Sequence, residues 1–186
     1  MKMNLPNKLT VLRVLMIPFF VLFMLAPFAQ NRPCSIIAFI IFVAASLTDT
    51  LDGQIARRYN LVTNFGKFMD PLADKLLVCS ALICFTALDR LPAWIVIVII
   101  AREFIISGFR LVAAEQGVVI AASYWGKFKT VSQMVMTALL ILHLGDNNRV
   151  FHILEIVFIC LATILTVVSL VDYLVKNKDL LLKGGM

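Results

Sequence analysis

Apolar positions in this chain fall neither at the period of an amphipathic soluble helix nor in strand alternation. They form long, nearly unbroken runs. Six of these approach or exceed the roughly 20 residues that a helix needs to cross a bilayer. The pattern predicts spans at Leu9–Phe28, Ser35–Arg57, Pro71–Leu88, Pro92–Ala114, Phe128–Leu144 and Val150–Leu174. Breakers separate them: Gln30-Asn31-Arg32-Pro33, Asp89-Arg90 before Pro92, and Gly145-Asp146-Asn147-Asn148. The expected fold is all-α, a polytopic membrane protein of six transmembrane helices with a single domain over residues 1–186. An N-terminal interfacial segment should lead into the first span. Asn7 can cap it, while Leu5, Leu9 and Leu12 place apolar atoms to one side. The run that follows lacks a small-x-small cleavage site, so it reads as a retained span and not a cleaved leader.

Composition strengthens this picture. The 186 residues are 61% hydrophobic and 15% charged, whereas a soluble domain is nearer half apolar and a quarter charged. The net charge of +6 is not a nucleic-acid footprint, because the basic residues punctuate apolar runs and do not cluster with aromatics on a wet face. They fit anionic headgroups and phosphorylated substrates. Lys and Arg also set topology. On alternate-side counting, one side receives Lys2, Lys8, Arg13, Arg57, Arg58, Lys67, Lys75, Arg110, Lys127, Lys129, Lys176, Lys178 and Lys183. The other receives Arg32, Arg90 and Arg149, with Arg102 left inside a span. Both termini and the loops after spans two and four are therefore expected in the cytoplasm. Cys34, Cys79, Cys84 and Cys160 show no CxxC spacing and read as small hydrophobes.

Candidate chemistry lies in Asp49-Thr50-Leu51-Asp52-Gly53-Gln54-Ile55-Ala56-Arg57 and Gly66-Lys67-Phe68-Met69-Asp70-Pro71-Leu72-Ala73-Asp74. Asp49 and Asp52 are three apart, Asp70 and Asp74 four apart, so each pair shares a helix face. Pro71 suits the first turn of its helix. A short loop makes the two helices antiparallel neighbours and brings four carboxylates to one end of the membrane. A lone aspartate there is ordinary interfacial solvation. Four together repel one another unless positive charge sits among them. All-oxygen donors favour magnesium or manganese over zinc. A pair of such ions suits phosphoryl transfer, clamping the attacking and leaving oxygens. Gly53 and Ala56 fit two readings, room for a ligand beside the helix or a small-residue helix contact. Gly66 equally fits a plain turn.

Arg102 and Glu103 sit in the middle of the fourth run, where ionic groups are costly and face a bundle interior. Arg110 follows two turns later, and Lys127 and Lys129 open the fifth run. This basic group is expected to hold a phosphate, as arginine does through paired N–H bonds. The alternatives are internal pairing for Arg102 and Glu103, and the positive-inside bias for the two lysines.

These residues resemble a known signature. D-x-x-D-G-x-x-A-R-x8-G-x-x-x-D-x-x-x-D, carried by Asp49, Asp52, Gly53, Ala56, Arg57, Gly66, Asp70 and Asp74, is similar to that of the CDP-alcohol phosphotransferases. Three further stretches resemble the bacterial branch whose acceptor is glycerol 3-phosphate: Leu5-Pro6-Asn7-Lys8-Leu9-Thr10 with Arg13, Ala101-Arg102-Glu103-Phe104 with Ser107 and Arg110, and Gly126-Lys127-Phe128-Lys129-Thr130 with Gln133 and Met134. Thr50 departs from the aromatic that many relatives carry there.

The resemblance implies a cytoplasmic-membrane enzyme transferring a phosphatidyl group from CDP-diacylglycerol to glycerol 3-phosphate with release of CMP, and a homodimer. Asp49, Asp52 and Asp70 would bind two Mg2+ or Mn2+ ions. Asp74 would take the proton of the acceptor hydroxyl and count among the metal ligands. Gly53, Ala56, Arg57 and Gly66 would line the CDP site. The rivals are another acceptor (inositol phosphate, serine or phosphatidylglycerol), a cation transporter, and a catalytically dead scaffold. A transporter site belongs near the bilayer midplane, often in paired broken helices, whereas these aspartates form one cluster at one end.

Overall fold

The computed structural model describes residues 4–26, 32–58, 64–115, 117, 118, 120, 123–143 and 148–178, with the backbone alone at 5, 6, 49–58, 64–68 and 115. All regular structure among these residues is helical: α1 (Leu5–Leu25), α2 (Arg32–Arg58), α3 (Asn64–Ala87), α4 (Ala93–Glu115), α5 (Tyr124–Leu142) and α6 (Arg149–Lys176). Two of them, over Asn7–Leu25 and Arg149–Lys176, are long and apolar enough to cross a membrane throughout their described length. Charged residues interrupt α3, α4 and α5.

Local chemistry sets the helix ends. Ala26 closes α1 in an extended conformation, which the following Pro27 imposes on its predecessor. After α3, Asp89 adopts a left-handed φ of 56°. The Asp89 amide donates to Thr86 O at 3.2 Å and the Arg90 amide to Phe85 O at 2.9 Å. This is a Schellman closure with Asp where glycine is usual. Gly117, at φ 72°, closes α4 in the same way, with Val118 N donating to Ala113 O at 2.8 Å. Asn148 caps α6, its side chain accepting from Val150 N.

Four helix starts differ from expectation. α2 begins at Arg32, ahead of Ser35 and within the expected breaker, with Pro33 in its first turn. Asn7 is not a cap. The helix begins at Leu5, with Asn4 at the cap position and Pro6 in the first turn, where a missing N–H costs little. Asn7 is buried within α1. Pro71 is not in a first turn either. α3 starts at Asn64, which places Pro71 inside the helix and leaves the carbonyl four residues earlier without its usual amide donor. α5 starts at Tyr124, ahead of the expected Phe128, because Ser123 Oγ accepts from Gly126 N at 3.1 Å and so caps the helix.

The chain divides into two compact units, Met1–Arg90 with Ile141–His143, and Leu91–Leu140 with Leu144–Met186. In the first, α1 packs against both α2 and α3, and α2 also touches α3. Ala38, Ala45, Ala73 and Ala81 are fully buried, and such small residues let helix backbones approach closely. Phe20 and Phe42 fill the space between α1 and α2, with ring centroids 6.0 Å apart. In the second unit, α4 packs against α6, with Phe109 set edge-on to Tyr173 at 6.2 Å. Large apolar side chains point outward on every helix, among them Phe19, Ile40, Ile83, Ile97, Val131 and Ile164. An outer surface of this kind is solvated by lipid. The four cysteines are free thiols, of which Cys34 and Cys84 are buried.

Candidate active site

In the first unit, the backbones of Asp49, Asp52, Gly53, Ala56 and Arg57 lie in the last turns of α2, and that of Gly66 in the first turn of α3. Their side chains lie outside the described ones. Asp70 and Asp74 stand one turn apart on α3, Asp70 half-buried and Asp74 exposed, with fully buried Ala73 between them. Both expected helix-face relationships therefore exist along the backbone: i,i+3 on α2 and i,i+4 on α3.

Helix α1 contributes a polar edge. Asn7, Thr10 and Arg13 recur every three residues and all are buried. Thr10 Oγ1 donates to Asp70 Oδ1 at 2.6 Å. Arg13, with no exposed surface, donates from Nε to the backbone carbonyl of Ala45 at 3.1 Å, one turn before Asp49. Thr48 turns its hydroxyl onto the same carbonyl at 2.8 Å. The sequence places Thr10 and Arg13 in a stretch that resembles the family and counts Arg13 toward topology, but assigns neither a contact. The available signal was the three-residue polar recurrence within an apolar run.

The donor set suits a divalent cation. A carboxylate offers about four lone-pair positions, so the Thr10 bond leaves Asp70 capacity for a metal. Hydrogen-bonded carboxylates are the usual form of metal-ligating ones. Among the described residues no three acidic, histidine or cysteine groups form a metal cluster. Asp49 and Asp52, the other half of the expected set, lie beyond the described side chains.

In the second unit, the fourth and fifth helices build a compact ionic group. Arg102 is buried and donates from Nε to Ser169 Oγ of α6 at 3.1 Å and from Nη1 to Glu103 Oε1 at 3.1 Å. The same Glu103 oxygen accepts from the ammonium of Lys129, which is 1% exposed. Gly126 makes room for the guanidinium, since a Cβ there would lie 3.3 Å from Arg102 Nη2. Of the four expected basic residues, Arg102 and Lys129 are thus brought together, whereas Arg110 and Lys127 are exposed on their helices. Glu103 takes the pairing role weighed for it from sequence. One carboxylate thus stands between two buried cations.

The chain is similar to known proteins along nearly its whole length. The family model of the CDP-alcohol phosphatidyltransferases matches residues 3–170. The chain is 47% identical over 191 residues to the CDP-diacylglycerol–glycerol-3-phosphate 3-phosphatidyltransferase of Bacillus subtilis, covering 96% of this chain and 97% of that one. It is 41% identical over 187 residues to the enzyme of the same name from Haemophilus influenzae, covering 98% and 97%. With the probable phosphatidylglycerophosphate synthase of Mycobacterium tuberculosis it shares 39% identity over 173 residues, covering 93% and 81%. This chain therefore belongs to the CDP-alcohol phosphatidyltransferase family.

Proposed function

We propose that this protein transfers the phosphatidyl group of CDP-diacylglycerol to sn-glycerol 3-phosphate, giving phosphatidylglycerophosphate and CMP. The observation that carries the reading is its near end-to-end similarity to enzymes named for that reaction, at up to 47% identity. All eight signature positions are filled as well.

Asp49, Asp52, Asp70 and Asp74 hold two divalent cations, Mg2+ or Mn2+. When bound, the metals supply positive charge to the diphosphate and to the reacting oxygens. Gly53 and Ala56 keep the end of α2 slim beside the cytidine diphosphate. Arg57 offers paired N–H donors to phosphate oxygens, and Gly66 keeps the first turn of α3 slim beside the nucleotide. Arg102, Arg110, Lys127 and Lys129 provide the charge that the acceptor's phosphate requires. Asp74 takes the proton from the acceptor hydroxyl as that oxygen attacks the β-phosphorus, and CMP departs. The exposed position of Asp74 and its place one turn from Asp70 support this role, because a general base must reach a hydroxyl that arrives from outside.

The same reading makes the 186 residues one catalytic domain of six membrane spans, with an interfacial N-terminal segment. It sits in the bacterial cytoplasmic membrane with both termini and the site on the cytoplasmic face, as a homodimer. The basic-residue imbalance supports the orientation.

The test is CMP release by the purified protein with CDP-diacylglycerol, with and without glycerol 3-phosphate and Mg2+ or Mn2+. Release that requires both is the expected result. Release that requires inositol phosphate, serine or phosphatidylglycerol instead would discard the acceptor and keep the chemistry.

A further inference from the structure

Threonine hydroxyls in apolar helices ordinarily turn back onto their own helix, bonding the carbonyl a turn earlier. Thr48, Thr86, Thr130, Thr137, Thr163 and Thr166 all do so here. Thr10 makes a contact of another kind. It gives its hydroxyl proton to Asp70 Oδ1, across 60 residues of chain and between two helices. The 2.6 Å separation lies in the range of an O–H donor meeting an ionised carboxylate. Thr10 has no exposed surface and is β-branched, so its rotamer is stiff and walled in on all sides.

We infer that Thr10 is a positioning residue for the metal centre. Its hydroxyl pins one oxygen of Asp70 and thereby fixes the plane in which the carboxylate presents its remaining lone pairs to a divalent cation. Outer partners of this kind orient ligating carboxylates, and their loss typically weakens metal binding by about 10–100-fold. Thr10 touches neither substrate in this role and acts through Asp70. The inference rests on the reading of the four aspartates as metal ligands.

The experiment compares wild type, Thr10→Val and Thr10→Ser in detergent. Mn2+ affinity is measured by electron paramagnetic resonance titration, alongside the metal-free unfolding temperature and the Mg2+ dependence of CMP release. Valine keeps the shape and deletes the donor, and serine keeps the donor. Thr10→Val should bind Mn2+ about 10–100-fold more weakly. Its metal-free unfolding temperature should fall by no more than the loss of one hydrogen bond accounts for, and much of its kcat should return at high Mg2+. Thr10→Ser should stay within a few-fold of wild type. Wild-type Mn2+ affinity in Thr10→Val would overturn the inference, even beside a lowered unfolding temperature, since a bond that merely ties α1 to α3 gives that result. So would equal losses of Mn2+ affinity in both variants. Wild type that turns over without binding Mn2+ or Mg2+ would overturn the metal reading itself, and this inference with it.

Discussion

Glu103 on α4 accepts the ammonium of Lys129 on α5 with the same carboxylate oxygen that receives Arg102. One oxygen thus joins two helices and moderates two buried cations. Removing one member of a buried ionic group leaves uncompensated charge, at a cost of about 3–5 kcal/mol. Glu103→Gln should therefore lower the unfolding temperature in detergent. Added inorganic phosphate should restore more of that loss in the variant than in wild type, because cations deprived of their carboxylate gain an anion. Thermal unfolding with and without phosphate measures both.

Gly126 and Gly108 make a matched pair of substitutions. A Cβ at Gly126 meets Arg102 Nη2 at 3.3 Å and Ser123 Oγ at 3.5 Å, while at Gly108 nothing lies within 4 Å. Alanine is favoured over glycine in a helix by up to about 1 kcal/mol, so Gly108→Ala should raise stability slightly and leave kinetics unchanged. Gly126→Ala makes the guanidinium give by a few tenths of an ångström. It should raise KM for glycerol 3-phosphate several-fold while KM for CDP-diacylglycerol stays put. Steady-state kinetics with each substrate varied in turn checks this.

Asp70→Asn and Asp74→Asn should fail differently. Asp74→Asn removes the proposed base together with one proposed ligand, so CMP release should fall by about 10²–10⁴-fold and stay low even when Mn2+ is raised to saturation. Asp70→Asn removes a proposed ligand, so Mn2+ affinity and turnover should fall together. A chelator such as EDTA should abolish wild-type release, with Mg2+ or Mn2+ restoring it. Mn2+ titration beside CMP assays distinguishes the two variants.

Arg13 is a buried cation held by a backbone carbonyl. Arg13→Met keeps the stem and removes the Nε–H. A hydrogen bond from a charged donor is worth about 1.5–3 kcal/mol, and loss of this one should show as a lower unfolding temperature of the purified protein.

The helices with the plainest end signals were the easiest to read from sequence. α4 and α6 begin and end within two residues of their expected limits, because a Pro or Asn start signal and a long apolar run agree there. α3 and α5 begin earlier than expected. Their first turns are polar or mixed, and Pro71 looked like a start signal when it is an interior residue. The aspartate spacing was legible because an i,i+3 or i,i+4 relationship is local. The Thr10–Asp70 bond was not, since a contact across 60 residues leaves no trace in local pattern. Glu103 lay between these extremes. An acid beside an arginine in an apolar run announces that it must pair, but the choice of Lys129 depends on how α4 meets α5.

The bond from Thr10 to Asp70 also orders events during synthesis. The first helix leaves the ribosome 60 residues ahead of that aspartate, so the bond can form only once α3 has been made. An apolar segment with that duty is no interchangeable anchor. Another hydrophobic helix of equal length would insert as readily, yet it would deliver a chain whose third helix lacks its hydroxyl partner.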